Sequence, residues 1–394
     1  MLFVLYLFPA LVDLLSGSFF FVATVRIAQS GASAVVVGAV LTVWGLCYTL
    51  ASLLSGRLAH RASYIPMVLA ACVLMCLASL AFIILPSIGA IFALMAVFGV
   101  AVGFFFPPYQ VFMKDVATGV ERSLHVSAAE YTFAWSLGLA AGPFIAGFLW
   151  RTVGWQWVFA LDALLALLTG AGTLLLARQG HHEAPATPLA ADPAESAGKP
   201  DMARVGWLVG GALVLVLAAV RGLFPSAAVV ARITESDQGI VLGTICLGQA
   251  AVAFVLSRGG SWMYSAAPLA AAGIVGVAGL ALFGLARTTP AFAGAAFLLG
   301  LCSGFCLVYM LFHAIAHPER AGAYIGINES ITGFTGVIGP LAGGAIAEGV
   351  GHSSAFLLLA ACYAVAVVAQ MLFHARVKAS ANLTRAPRAP RGTA

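Results

Sequence analysis

Gly99-Val-Ala-Val-Gly103-Phe104 returns 201 residues later as Gly300-Leu-Cys-Ser-Gly304-Phe305. The match does not stand alone. Glu121-Arg122 answers to Glu319-Arg320 at an offset of 198, and Gly142-Pro143 with Gly147 answers to Gly339-Pro340 with Gly344 at 197. Arg26-Ile27 answers to Arg232-Ile233 at 206. A few loop residues account for the drift. Ordered matches at nearly one spacing make the chain two parallel copies of one unit. That build places a site where the copies meet.

Each copy is written in apolar residues. Hydrophobic residues are 62% of the chain and charged ones 8%, against roughly 25% charged in soluble domains. Mean hydropathy is +1.03. A water-soluble globule of this size could not hide so much apolar surface; a lipid solvent removes the need to. About 20 mostly apolar residues span a bilayer, and twelve such segments can be laid down: 2–25, 34–55, 65–85, 88–113, 124–149, 156–177, 205–230, 239–257, 266–286, 291–313, 323–347 and 354–375. The runs are continuous, which indicates helices and not the alternation of barrel strands. The expected fold is an all-α membrane protein of twelve helices in two pseudo-symmetric bundles, 1–180 and 205–376. Between them, 181–204 is rich in Pro, Ala, Asp and Glu and is expected to be a flexible cytoplasmic linker. Residues 377–394 are expected to be a disordered basic tail. Met1–Ala10 has no basic opening and its apolar run continues past Asp13, so it is expected to be a retained first helix and no cleaved signal.

Charge sets the expected orientation. With the N-terminus inside, fourteen of the nineteen Lys and Arg fall in inner loops and the tail, four fall in outer loops (Arg26, Arg151, Arg232, Arg287), and Arg221 stays within a helix. That bias fits the positive-inside rule with both termini in the cytoplasm. The net charge of +5 then reflects topology and calls for no nucleic acid. The seven cysteines all fall in apolar runs, too sparsely for a metal site, and read as packing residues.

The loop after the second helix reads Gly56-Arg57-Leu58-Ala59-His60-Arg61-Ala62-Ser63. It resembles the signature loop of the major facilitator superfamily, Gly-x-Leu-Ala-Asp-Arg-x-Gly, with His60 in place of the acid and Ser63 in place of the second glycine. Helix five carries Gly138, Gly142, Pro143 and Gly147, similar to the glycine-proline motif of the family's efflux antiporters; helix eleven repeats it with Gly336, Gly339, Pro340, Gly343 and Gly344. Gly154-Trp155-Gln156-Trp157-Val158-Phe159 is similar to the Gly-Trp-Arg-Trp-x-Phe opening of helix six. The resemblance spans nearly the whole chain. It implies alternating access between two six-helix bundles, with helices one and seven lining a central cavity, and makes Gly56, Arg57, Arg61, Gly138, Gly142, Pro143, Gly339 and Pro340 conformational motif residues. Apart from the family, small residues four apart let helix backbones approach and a proline opens a flexible point. The Arg that many proton-driven drug exporters carry in helix four is absent.

Charges at mid-membrane cost several kcal/mol and are functional candidates by default. Asp13 lies about eleven residues into helix one, and Arg221 about eleven before Arg232, so both are expected near the midplane. The offset of 206 maps Asp13 to Ala219, two residues from Arg221. Asp13 is a candidate for the coupling proton, and Arg221 for a bidentate grip on an anionic group; a permanent structural ion pair is the alternative. Glu130 and Glu329, near the inner ends of helices five and eleven, are further candidates, as is Asn328; helix-dipole stabilisation would equally account for the acids. His313 suits a proton relay or plain packing. Tyr109, Trp135 and Tyr309 suit a cavity wall or the core.

No phosphate-binding glycine loop and no His-Glu-x-x-His motif occur, so no cofactor, no metal and no enzymatic activity are expected, and energy must come from a gradient. The expected function is secondary active transport of a small molecule, proton-coupled, with the glycine-proline motif leaning toward efflux. Uptake of a small organic anion by symport is the competing reading, and a non-transporting receptor or assembly component a third. The partners are then substrate, protons and lipid. A site contained in one chain suits a monomer, and an Ala- and Gly-rich composition a bacterial inner membrane.

Overall fold

The computed structural model describes residues 2–58, 64–85, 87–116, 124–179, 199–316 and 321–385. Within them are twelve helices and no strand: α1 Leu2–Gln29, α2 Ala34–Leu58, α3 Tyr64–Ile84, α4 Ile88–Val116, α5 Leu124–Thr152, α6 Trp155–Gln179, α7 Ala203–Val230, α8 Glu235–Leu256, α9 Ala266–Leu285, α10 Thr289–Ile315, α11 Ala321–Val350 and α12 His352–Arg385. All twelve are long and apolar enough to cross a membrane. The chain is an integral multi-pass membrane protein.

Local chemistry sets several helix ends. Thr234 caps α8, its hydroxyl accepting from the Asp237 amide at 3.3 Å. That starts the helix four residues before the apolar run, with Glu235 and Asp237 in the first turn, where the helix dipole favours acids. Asp201 accepts from the Ala203 amide at 2.9 Å and from the Tyr324 hydroxyl at 3.0 Å, tying the start of α7 to α11. The last helix runs to Arg385, past Arg376, where the apolar run ends. Residues 376–385 hold neither Gly nor Pro, so nothing breaks the helix until Pro387 approaches. The remainder of the expected tail, most of the expected linker, Arg61, and the Glu-Arg pairs at 121–122 and 319–320 lie outside the described residues.

Successive helices alternate in direction, so the start of α1, the end of α6, the start of α7 and the end of α12 share one face, here the terminal end; the α1–α2, α7–α8 and α11–α12 turns mark the far end. In the first half α1 packs on α5, α2 on α4, and α3 on α4 and α6; in the second, α7 packs on α11, α8 on α10, and α9 on α10 and α12. The pattern repeats with a shift of six helices. The halves meet along two seams, α5 with α8 and α2 with α11, and α1 faces α7 between them.

The glycine-proline motifs build these joints twice over. Gly138 and Gly142 take the α1 backbone at Ala10 and Leu14, and Pro143 and Gly147 meet Gly239 of α8. Likewise Gly339 and Gly343 take α7 at Leu215 and Ala219, and Pro340 and Gly344 meet Gly38 and Ala34 of α2. Each motif holds its own half with one side and crosses to the other half with the opposite side. Gly56 and Arg57 are exposed at the terminal end, and the closest atom to a Cβ on Gly56 would be Pro107 Cβ at 3.8 Å.

The far end is sealed. Gln29 Nε2 donates to Glu235 Oε1 at 2.6 Å and the Val35 amide to Glu348 Oε1 at 2.9 Å, both across the halves. Toward the terminal end the α2–α11 seam loosens. Thr49 still presses on Gly333, but Gly326, two turns on, has no atom of the described residues within 4 Å of where a Cβ would stand, and Glu329 between them is exposed.

Candidate functional site

Polar side chains from seven helices converge where the two seams flank α1 and α7. Asp13 of α1 is enclosed by protein yet keeps accessible surface, so it faces a cavity and no packed core. It lies within electrostatic reach of Arg221 of α7, of Tyr48 of α2, of Tyr131 of α5 and of Cys246 of α8. Glu329 of α11 is within reach of both tyrosines. Gln110 of α4 donates to the Tyr131 hydroxyl at 3.0 Å.

Arg221 has an unusual partner for a guanidinium. Its Nη2 donates to Cys246 Sγ at 3.1 Å, and no contact ion pair joins it to Asp13 among the described residues. A thiol is a weak acceptor, while a guanidinium carries five donors. Arg221 therefore reaches the cavity with donors to spare. On its far-end side lies a small chamber of about 40 Å³ lined by Gly17, Phe20, Phe21, Leu41, Pro143 and Leu242 among others. A few waters fit there; an organic molecule does not. Access to Arg221 therefore runs from the terminal end.

A wall of aromatic rings continues from Phe20, which lines the chamber at Arg221. Trp44 and Tyr48 of α2 stack in parallel at 5.0 Å, and Phe20 meets Trp44 edge-on at 4.5 Å. Trp135 packs with Phe20 and Phe144 around Leu139, Ala140 and Cys246. Across from this wall, buried Gln249 of α8 bridges the halves. Its Nε2 donates to Ser136 Oγ of α5 at 2.5 Å, and its Oε1 accepts from Ser303 Oγ of α10 at 2.7 Å.

Of the residues the sequence singles out, the structure brings Asp13, Arg221, Glu329 and Trp135 together. Glu130 is half-buried and adjoins Tyr131; adjacent helix positions do not share a face, and Tyr131 is the α5 hydroxyl recorded at the cluster. Asn328 is buried and donates to the Met310 carbonyl at 3.4 Å, against α10. His313 is buried, bonded through Nε2 to the Met263 carbonyl at 2.7 Å and wedged against Tyr264 and Tyr309. Tyr109 and Tyr309 are fully buried and stack on Phe105 and Phe305, each one turn earlier in its own helix. Those four serve packing within a half. Trp44, Tyr48, Tyr131, Cys246 and Gln249 belong to the site but carry no formal charge, the one signal that marks a cavity residue in an apolar sequence.

A twelve-helix membrane protein of two repeated bundles, with its polar groups gathered at their junction, has the architecture of a transporter. The model of the Major Facilitator Superfamily matches residues 6–311, and the chain belongs to that family of membrane transporters, which are not enzymes. It shares the fold of the human organic anion transporter MFSD10 (TETRAN), known from a crystal structure, with a TM-score of 0.68 and 14% identity over 93% of this chain and 98% of that one. No curated protein matches it in sequence.

Proposed function

We propose that this transporter moves a small organic anion together with protons, by alternating access. The observation that carries the reading is Arg221: a guanidinium deep in the cavity whose partner is a thiol and whose remaining donors suit a carboxylate, sulfonate or phosphate fork. The shared fold with a human organic anion transporter is in keeping with this reading, but the argument rests on Arg221.

Coupling follows from the neighbours. Asp13 and Glu329 share the cavity, and an anion at Arg221 must sit near both. When they are ionised they compete with it for one positive charge. When Asp13 holds a proton, Arg221 is left to the anion. Each ligand then favours the other, as linkage requires, and the two cross in the same direction. The glycine-proline motif of α5 has a working twin in α11, so it serves both joints between the halves and gives no reason to favour efflux. Basic residues at the terminal end, Arg57, Arg178, Arg204, Arg258 and Arg376 among them, support a cytoplasmic reading of that end by the positive-inside rule. The accessible side of Arg221 then faces inward.

The test is anion-driven proton movement in proteoliposomes. Screened carboxylates should acidify the compartment they enter in wild type, with little such flux for Arg221→Gln and less than full rates for Arg221→Lys, which keeps the charge but loses the fork. Full rates with Arg221→Gln would overturn the reading.

A further inference from the structure

We propose that the anion is aromatic, and that Trp44 and Tyr48 form the shelf on which its ring lies; this rests on the reading of Arg221 as the anion's binding group. Counted from the sealed end, Arg221 is nine residues below Val230, Trp44 ten below Ala34 and Tyr48 fourteen below it. At about 1.5 Å per residue the shelf begins level with the guanidinium and descends about one turn toward the open side. Phe20 links the two, since it lines the chamber at Arg221 and meets Trp44 edge-on at 4.5 Å. Below, the Tyr48 hydroxyl lies within electrostatic reach of Glu329, Tyr131 and Asp13.

Three observations favour a ring over an alkyl chain. The chamber beyond Arg221 has room for about 40 Å³, so the body of the substrate must lie on the shelf side. Trp44 and Tyr48 are both half-buried, with surface left open. The shelf is also fixed from behind. A Cβ on Gly99 would stand 2.6 Å from the Trp44 carbonyl oxygen, and one on Gly103 2.7 Å from that of Tyr48, so α4 grips the α2 backbone at these two residues and their rings stay in place. A rigid aromatic pair costs little order on binding and offers π-faces to a planar partner. The indole N–H of Trp44 is buried without a partner among the described residues and is a donor left for a ligand when the halves move.

The experiment compares two carboxylates of equal charge and similar size, 2-naphthoate and decalin-2-carboxylate, by calorimetric titration of the purified full-length protein. Wild type should bind 2-naphthoate at least about tenfold more tightly. Trp44→Leu should weaken 2-naphthoate far more than decalin-2-carboxylate and so shrink the preference below about threefold, and Trp44→Phe, which keeps a ring, should retain most of it. Monodispersity and thermal stability of each variant guard against misfolding. Equal binding of both acids by wild type, with both lost in Arg221→Gln, would overturn the aromatic shelf and leave the anion site standing. Binding indifferent to Arg221 would remove both, and failure of wild type to bind either acid would overturn the shelf.

Discussion

The α2–α4 crossing and the α8–α10 crossing are one design used for two purposes. Gly99 and Gly103 admit the α2 backbone at Trp44 and Tyr48; Gly300 and Gly304 admit the α8 backbone at Ile245 and Gln249. Every one of these pairs is related by the same offset of 201. The slot that holds Tyr48 in the first half therefore holds Gln249 in the second. In one half it presents an aromatic surface to the cavity; in the other it clamps the seam to Ser136 and Ser303. Duplication preserved the backbone contact, where no side chain fits, and left the residue facing the centre free to diverge. Function in such a protein is written in the positions where the repeat fails.

That account is broken most readily at the shared part. Gly99→Leu and Gly300→Leu should each abolish monodisperse protein in detergent, because the new side chain meets a backbone carbonyl that cannot yield. Gly56→Leu, exposed and with Pro107 Cβ at 3.8 Å as its nearest atom among the described residues, should express within about twofold of wild type. Normal yield for either crossing variant would mean that the glycines do not set the contact.

The divergent slots should respond differently. Gln249→Leu strands the hydroxyl of Ser303 and removes a donor from Ser136, at a cost of about 1–3 kcal/mol, read as a lower thermal midpoint. Spin labels at the terminal ends of α5 and α8 should also show a broader distance distribution. An unchanged distribution would reduce Gln249 to a packing residue. Tyr309→Phe should do the least. The Tyr309 hydroxyl is buried without a partner among the described residues, so its removal should shift stability by no more than ~0.5 kcal/mol and in the favourable direction; a clear destabilisation would reveal a partner and a role beyond the core.

Much of this was legible in the sequence. Long apolar runs and one recurring offset carry the fold, because a bilayer tolerates few alternatives to helices. Asp13 and Arg221 announce themselves, since a charge at that depth is too costly to be incidental. Trp44, Tyr48 and Tyr131 do not. An aromatic ring is equally at home against lipid, in a core or on a cavity wall, and composition cannot separate the three. The same ambiguity makes Tyr109 and Tyr309 candidates by sequence, yet both prove to be core. Residues facing the contact glycines at the repeat offset were a usable signal, but only once helix–helix contacts were known.

The central claim, that proton and anion share Arg221 through Asp13, is tested most directly by anion affinity against pH for wild type and Asp13→Asn. Loss of a proton from Asp13 restores the charge that competes for Arg221, so wild-type affinity should fall as pH rises, by about tenfold overall. Asp13→Asn cannot regain that charge, and its affinity should stay near the low-pH wild-type value with most of the slope gone. The same pH slope in both proteins would contradict the account.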